Sequence, residues 1–197
     1  QDLLYRICGA RSRIRSIRSA VRYDVIVTAG GGGFGSELLT SALDVAKTRP
    51  QERWCLATGP HMAEVARQKL RNAAPPHVTL VERLDNLAAH LMQAKLSISQ
   101  CGYNTAMDVI RAHEESTCRA VFVPYDTQGQ SEQLRRAQLL HKAGFAINLP
   151  QSQLAPDHLT KAMDAALKLK RVAHHTNIDG IENSASIVRR WLDEKRA

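Results

Sequence analysis

No stretch of this chain is apolar over enough residues to cross a membrane as a helix, and nothing at its start reads as a secretory leader. No two of its four cysteines (Cys8, Cys55, Cys101, Cys118) form Cys-x-x-Cys, and no histidine cluster stands at zinc-ligand spacing. The pattern excludes a cysteine-rich metal module and reads as reduced, cytosolic usage, with Cys55 a small hydrophobe inside an apolar run. His174-His175 is an isolated pair in a polar stretch and reads as solvated surface, not as a metal site. Aromatic residues make up only 5% of the chain. There is no internal repeat and no low-complexity tract.

What remains is a chain of 197 residues, 44% of them hydrophobic, which suits one domain with a proper core. It begins on Gln1 and not Met, so it is expected to be a piece of a longer protein. The net charge is +8, unevenly placed: residues 1–22 carry six arginines against Asp2, a net of +5, leaving +3 for the rest. Such an arm can bind polyanions. No aromatic residue interleaves its arginines and no nucleic-acid module follows, so it reads as a solvated arm or interdomain linker, with no nucleic-acid partner expected.

From residue 23 onward, strand and helix patterns alternate. Short apolar runs at 24–28, 54–57, 77–81, 96–99, 119–123 and 145–149 read as strands. Helical patterns fall at 36–47, 61–71, 86–93, 103–113, 130–142, 156–170 and 181–195, and Gly144 is placed to end the fifth of them. The strands are apolar throughout, as parallel strands buried on both faces are. This order predicts an α/β fold, a Rossmann-like doubly wound parallel sheet of about six strands, over residues 23–197. Ligands of such sheets sit outside the carboxyl ends of the strands, so function is sought in the loops that follow them.

The first such loop runs Gly30-Gly31-Gly32-Gly33-Phe34-Gly35-Ser36. Glycines let backbone N–H groups approach a phosphate, and a helix start adds a positive dipole end. Ser36 is placed to cap that helix. One or two glycines would satisfy a tight turn, so the length of the run favours an anion ligand. The run also fits Gly-x-Gly-x-x-Gly, but the second strand ends Leu56-Ala57-Thr58-Gly59, without the acid a dinucleotide's ribose requires. The loop after strand four holds Gly102, Tyr103, Asn104 and Thr105, with Asp108 one turn further on. A hydroxyl and free N–H groups at a helix start suit a phosphate, and a carboxylate one turn along suits the hydroxyls of a ribose. The same Thr-x-x-Asp spacing fits a capping box that needs no ligand, and spacing alone leaves the two open. After strand five, Glu132 and Gln133 stand at another helix start, where they could bond sugar hydroxyls or serve only as first-turn residues.

In this order, the three loops resemble the C-terminal, donor-binding domain of glycosyltransferase family 28, over about residues 24–149. The resemblance implies one half of a GT-B enzyme, built of two Rossmann-like domains, that moves a hexosyl group from a nucleoside-diphosphate sugar, UDP-linked, to an acceptor hydroxyl. It implies that Gly31, Gly32 and Gly33 lie by the diphosphate, and that the backbone at Leu84, in Leu84-Asp85-Asn86-Leu87, contacts the base. Gly102, Asn104 and Thr105 would form the phosphate-binding segment, with Thr105 the hydroxyl. Asp108 would hold the ribose where the family usually has Glu, and Glu132-Gln133 would hold the sugar. No cofactor or metal is implied, because helix starts and backbone N–H groups can meet the leaving diphosphate's charge. The catalytic base and acceptor site would lie in an N-terminal domain outside this chain, so this piece is expected to bind nucleotide without turnover. The setting implied is cytoplasmic, with a membrane-associated acceptor and a peripheral place at the inner face left open. A nucleotide-sugar epimerase or hydrolase of the same build, an NAD-dependent dehydrogenase and a polyanion-binding module are the alternatives.

Overall fold

A computed structural model describes residues 22–30, 35–125, 131–172 and 180–194. The basic arm up to residue 21, Gly31, Gly32 and Gly33 of the glycine run, Cys8 and His174-His175 lie outside the described residues. The chain divides into two compact units, Ser16–Ala173 and a second made of Gln1–Arg15 with His174–Ala197.

The larger unit contains one six-stranded sheet. Its strands are β1 (Val25–Thr28), β2 (Trp54–Ala57), β3 (Val78–Val81), β4 (Leu96–Ser99), β5 (Arg119–Phe122) and β6 (Ile147–Asn148). They lie in the order β3-β2-β1-β4-β5-β6, every neighbouring pair parallel. Between them run α1 (Ser36–Lys47), α2 (Glu64–Ala73), α3 (Leu87–Leu91), α4 (Tyr103–Glu115) and α5 (Glu132–Lys142), and α6 (Pro156–Leu167) follows β6. The doubly wound α/β expectation holds.

Pleating sends alternate residues of each strand to opposite faces, so each face builds its own core. Val25 and Val27 pack with Leu38, Leu39, Leu43 and Ala46 of α1 and with Leu159 and Met163 of α6. Ile26, Cys55 and Phe122 point the other way, toward Leu91 of α3, Val109 and Ala112 of α4 and Ala137 of α5. Each fully buried Leu, Ile or Phe stabilises by about 1.5–3 kcal/mol relative to exposure. The four central strands are buried almost throughout, as their apolar runs require. The edge strands β3 and β6 keep partly exposed positions, because each has a strand on one side only.

Local signals explain the helix ends. Gly144, at φ +82°, closes α5: Phe145 N–H donates to Leu140 O at 2.9 Å and Gly144 N–H to His141 O at 3.0 Å. That pair of bonds is a Schellman cap. Pro156 starts α6 at a position where a missing N–H does no harm. Two expectations are corrected. Ser36 does not cap α1: the N-cap is Gly35, and Ser36 is already the first helical residue. The helix expected from 61 begins at Glu64: Ala63 at its N-cap is extended, at ψ 135°, and residues 60–62 form a turn in which Met62 is buried in the core.

The described part of the second unit is α7 (Gly180–Glu194), on which Ile187, Val188, Trp191 and Leu192 share one face by their spacing.

Candidate functional site

Strand order reverses between β1 and β4, which opens a crevice at their carboxyl ends. Register sets Ala57, Thr28, Ser99 and Phe122 side by side there, on β2, β1, β4 and β5. The loops beyond them converge. A β-carbon on Gly30, at φ +71°, would meet Oε1 of Gln100 at 3.0 Å. One on Gly35 would sit 2.1 Å from the β-carbon of Ala29, so α1 can start this close to β1 only with glycine there. The Ser99 hydroxyl, at the mouth of the crevice, is buried and takes no hydrogen bond among the described residues.

Gly102 is the N-cap of α4, and no side chain caps this helix start. Tyr103, Asn104 and Thr105 are therefore the first three helical residues, whose N–H groups have no partner within the helix. Thr105 stands at the third position and not at the cap, which removes the capping-box reading of Thr105 and Asp108. Asp108 follows one turn on, partly buried, and its carboxylate has no hydrogen bond or ion pair among the described residues. Burial raises its pKa above the ordinary carboxylate value, and the Arg111 guanidinium, itself paired with Glu115 at 3.1 Å, offsets this only in part.

Glu132 is the first residue of α5. The structure brings it to the start of α4 through a residue that sequence reasoning missed. Arg136 donates from Nη2 to Glu132 and from Nη1 to the carbonyl oxygen of Cys101, the latter at 2.6 Å. Its guanidinium also lies over the Tyr103 ring, 5.7 Å from the centroid. The i,i+4 spacing of Glu132 and Arg136 was the available signal, but only the fold shows the bond to Cys101. Gln133 is partly buried, and its Oε1 accepts the Tyr125 N–H at 3.2 Å. Leu84 is partly buried against the apolar cluster that also takes Met107 of α4. Asn86, two residues on, holds a left-handed conformation and caps α3 by accepting Ala89 N–H at 3.3 Å.

The end of β2, where a dinucleotide-binding enzyme would carry an acid, has Thr58 and Gly59, backed by Arg67. Arg67 donates to the carbonyls of Gly59 and Met62 and pairs with Glu64 at 3.2 Å. Glu82 lies 3.5 Å from the same guanidinium. The three described cysteines are free and buried, with thiol pKa values pushed up to about 12 by burial, so none is a nucleophile at neutral pH.

Sequence comparison decides the family. The glycosyltransferase family 28 C-terminal domain matches residues 25–189. The chain belongs to that family. Among relatives of this family 28 domain is a protein of Thermotoga neapolitana, UDP-N-acetylglucosamine--N-acetylmuramyl-(pentapeptide) pyrophosphoryl-undecaprenol N-acetylglucosamine transferase. It is 25% identical over 180 residues, covering 91% of this chain and 49% of that protein. The protein of the same name from Synechocystis is 27% identical over 128 residues, 61% of this chain and 35% of its own length. The chain thus spans about half or less of the length of these curated relatives. Solved structures share the fold. The glycotransferase of kitacinnamycin superposes with a TM-score of 0.64 at 16% identity, over 92% of this chain and 46% of that one. Acinetobacter baumannii MurG does so with 0.57 at 22% identity, over 83% and 49%. The fold is that of one Rossmann-like half of a GT-B glycosyltransferase. No helix among the described residues is long and apolar enough to cross a membrane.

Proposed function

We propose that this family 28 domain binds the donor, a UDP-linked hexose, and that the whole protein transfers the hexosyl group to an acceptor hydroxyl held by an N-terminal domain. The observation that carries this reading is Asp108, a partly buried carboxylate with no hydrogen bond or ion pair among the described residues, one turn beyond an uncapped helix start at the strand-order reversal. In the proposed mode, Thr105 Oγ1 and the first N–H groups of α4 hold phosphate, with Gly102 and Asn104 shaping that turn. Asp108 accepts the ribose hydroxyls. The Leu84 backbone meets the base, Glu132 and Gln133 meet the sugar, and Gly31, Gly32 and Gly33 lie against the diphosphate.

In the reaction the acceptor oxygen bonds to the anomeric carbon while the bond from that carbon to the diphosphate oxygen breaks. The electron pair leaves with UDP, and the acceptor proton passes to a base outside this chain. Charge grows on the diphosphate, where helix-start N–H groups stabilise it, and no metal or cofactor is called for in this scheme. The curated relatives are named for a pyrophosphoryl-undecaprenol acceptor. A membrane-associated acceptor, met from the cytoplasmic side, belongs to the same proposal.

The test is a thermal-shift titration of the chain with UDP, GDP, dTDP and NADH, repeated on Asp108→Ala. A ligand that binds only the folded state stabilises by about 2.7 kcal/mol at a hundred times its Kd. Stabilisation by UDP that Asp108→Ala abolishes is the expected result. Stabilisation by NADH alone would sink the donor reading. On the full-length protein, release of free or epimerised sugar without acceptor would move the assignment to a hydrolase or epimerase.

A further inference from the structure

We propose that Arg136 is a positioning residue for the donor sugar, tying the acid that receives the sugar to the loop that receives the nucleotide; this rests on the donor-binding reading above. Its side chain is only 18% exposed, although it lies one turn into a surface helix. Nη1 donates to the carbonyl oxygen of Cys101 at 2.6 Å, Nη2 donates to Oε1 of Glu132, and the guanidinium carbon stands 5.7 Å from the centre of the Tyr103 ring. An ordinary i,i+4 ion pair has only the second of these contacts. The other two reach across to the β4–α4 loop and to the first residue of α4.

A guanidinium offers its N–H donors in a rigid planar fork, so two acceptors bonded to it fix each other's direction. Glu132 is 82% exposed and, untethered, would sample several rotamers. With Oε1 on Arg136, its Oε2 is left to accept from a sugar hydroxyl. The Cys101 carbonyl belongs to the segment that runs through Gly102 into Asn104 and Thr105. Arg136 therefore sets the separation between the sugar-holding acid and the nucleotide-holding helix start. It reaches both subsites through other residues, and the selective signature of that role is a loss confined to the sugar.

The experiment is calorimetric titration of the whole chain with UDP and with whichever of UDP-glucose, UDP-galactose and UDP-N-acetylglucosamine binds tightest. It is run on the wild type, Arg136→Gln, Glu132→Gln and the double variant. Loss of one charge-assisted tether should weaken the sugar nucleotide about tenfold in Arg136→Gln and UDP itself less than about threefold. The double variant should be no weaker than Glu132→Gln alone, since both changes remove one unit. Arg136→Lys keeps the charge but not the fork, and should show the same selective loss; it carries the test if Arg136→Gln does not fold. Equal weakening of both ligands, or none, would overturn the inference and leave the donor reading standing. No binding of either ligand by the wild type would overturn the donor reading, and this inference with it.

Discussion

Gly59 stands so close to Gly30 that a β-carbon on it would lie 2.4 Å from the Gly30 carbonyl oxygen. Both residues have positive φ, +77° and +71°. The β2–α2 loop thus backs Gly30, the first residue of the glycine run. Gly59→Ala would have to accept a left-handed conformation, at about 1–2 kcal/mol, and also displace the Gly30 carbonyl. Expected outcomes are a fall in stability beyond that conformational term, seen in urea unfolding, and loss of the UDP-induced thermal shift.

Gly102 is the contrasting case. Its φ is −63°, and nothing lies within 4 Å of where a β-carbon would go. Alanine is the poorer N-cap, but in this extended conformation it also removes freedom from the unfolded chain, so the two effects oppose and Gly102→Ala should change unfolding free energy by less than about 0.5 kcal/mol. The open space faces the start of α4, where phosphate is proposed to sit. UDP affinity should therefore drop although stability does not, and unchanged affinity would move the phosphate elsewhere.

Asp108 predicts a trade between stability and binding. Its carboxyl is more easily protonated in the folded chain than in the unfolded one, so at neutral pH the ionised group opposes folding. Asp108→Asn should raise the ligand-free melting temperature slightly, by the equivalent of a few tenths to about 1 kcal/mol, while UDP binding is lost. For the wild type, UDP affinity should fall on acidification through the raised pKa, because protonation removes the acceptor of the ribose hydroxyls. Calorimetry at descending pH checks both; a wild-type affinity that falls no more steeply than that of Asp108→Asn would contradict the ribose role.

His113 gives a second pH dependence, away from the crevice. It is buried, and its Nε2 accepts the Val172 N–H at 3.0 Å, so its proton sits on Nδ1. Desolvation, then Arg119, depresses its pKa below the ordinary 6.5. The unfolded chain therefore binds a proton first as pH falls. Stability from this group is complete above about 6.5 and is lost as pH falls through the depressed folded value. His113→Phe should flatten that part of the curve. It should also lower stability by about 1–3 kcal/mol at neutral pH, through the orphaned Val172 N–H.

Most of the fold was legible because each central strand is a short apolar run buried on both faces and each helix has a distinct end signal, Gly144 above all. The ends that were misjudged, at Ser36 and near Met62, depended on contacts outside the local segment. In the candidate site, Gly102, Asn104, Thr105 and Asp108 were legible as a cluster because they share two turns of one helix. Arg136 was not, since its decisive partner, the Cys101 carbonyl, lies on another strand's loop.

The sequence alone determined the order of strands and helices, the family to which the chain belongs, and which loops carry polar groups able to meet a ligand. These depend on side-chain periodicity and local turn chemistry, which neighbours along the chain settle. Only the tertiary structure decided that Gly102 and not Thr105 caps α4, that Asp108 is partly buried with no hydrogen bond or ion pair among the described residues, and that Gly30, Gly59 and Gln100 crowd one crevice. Those facts depend on distances between segments that become neighbours only when the sheet forms.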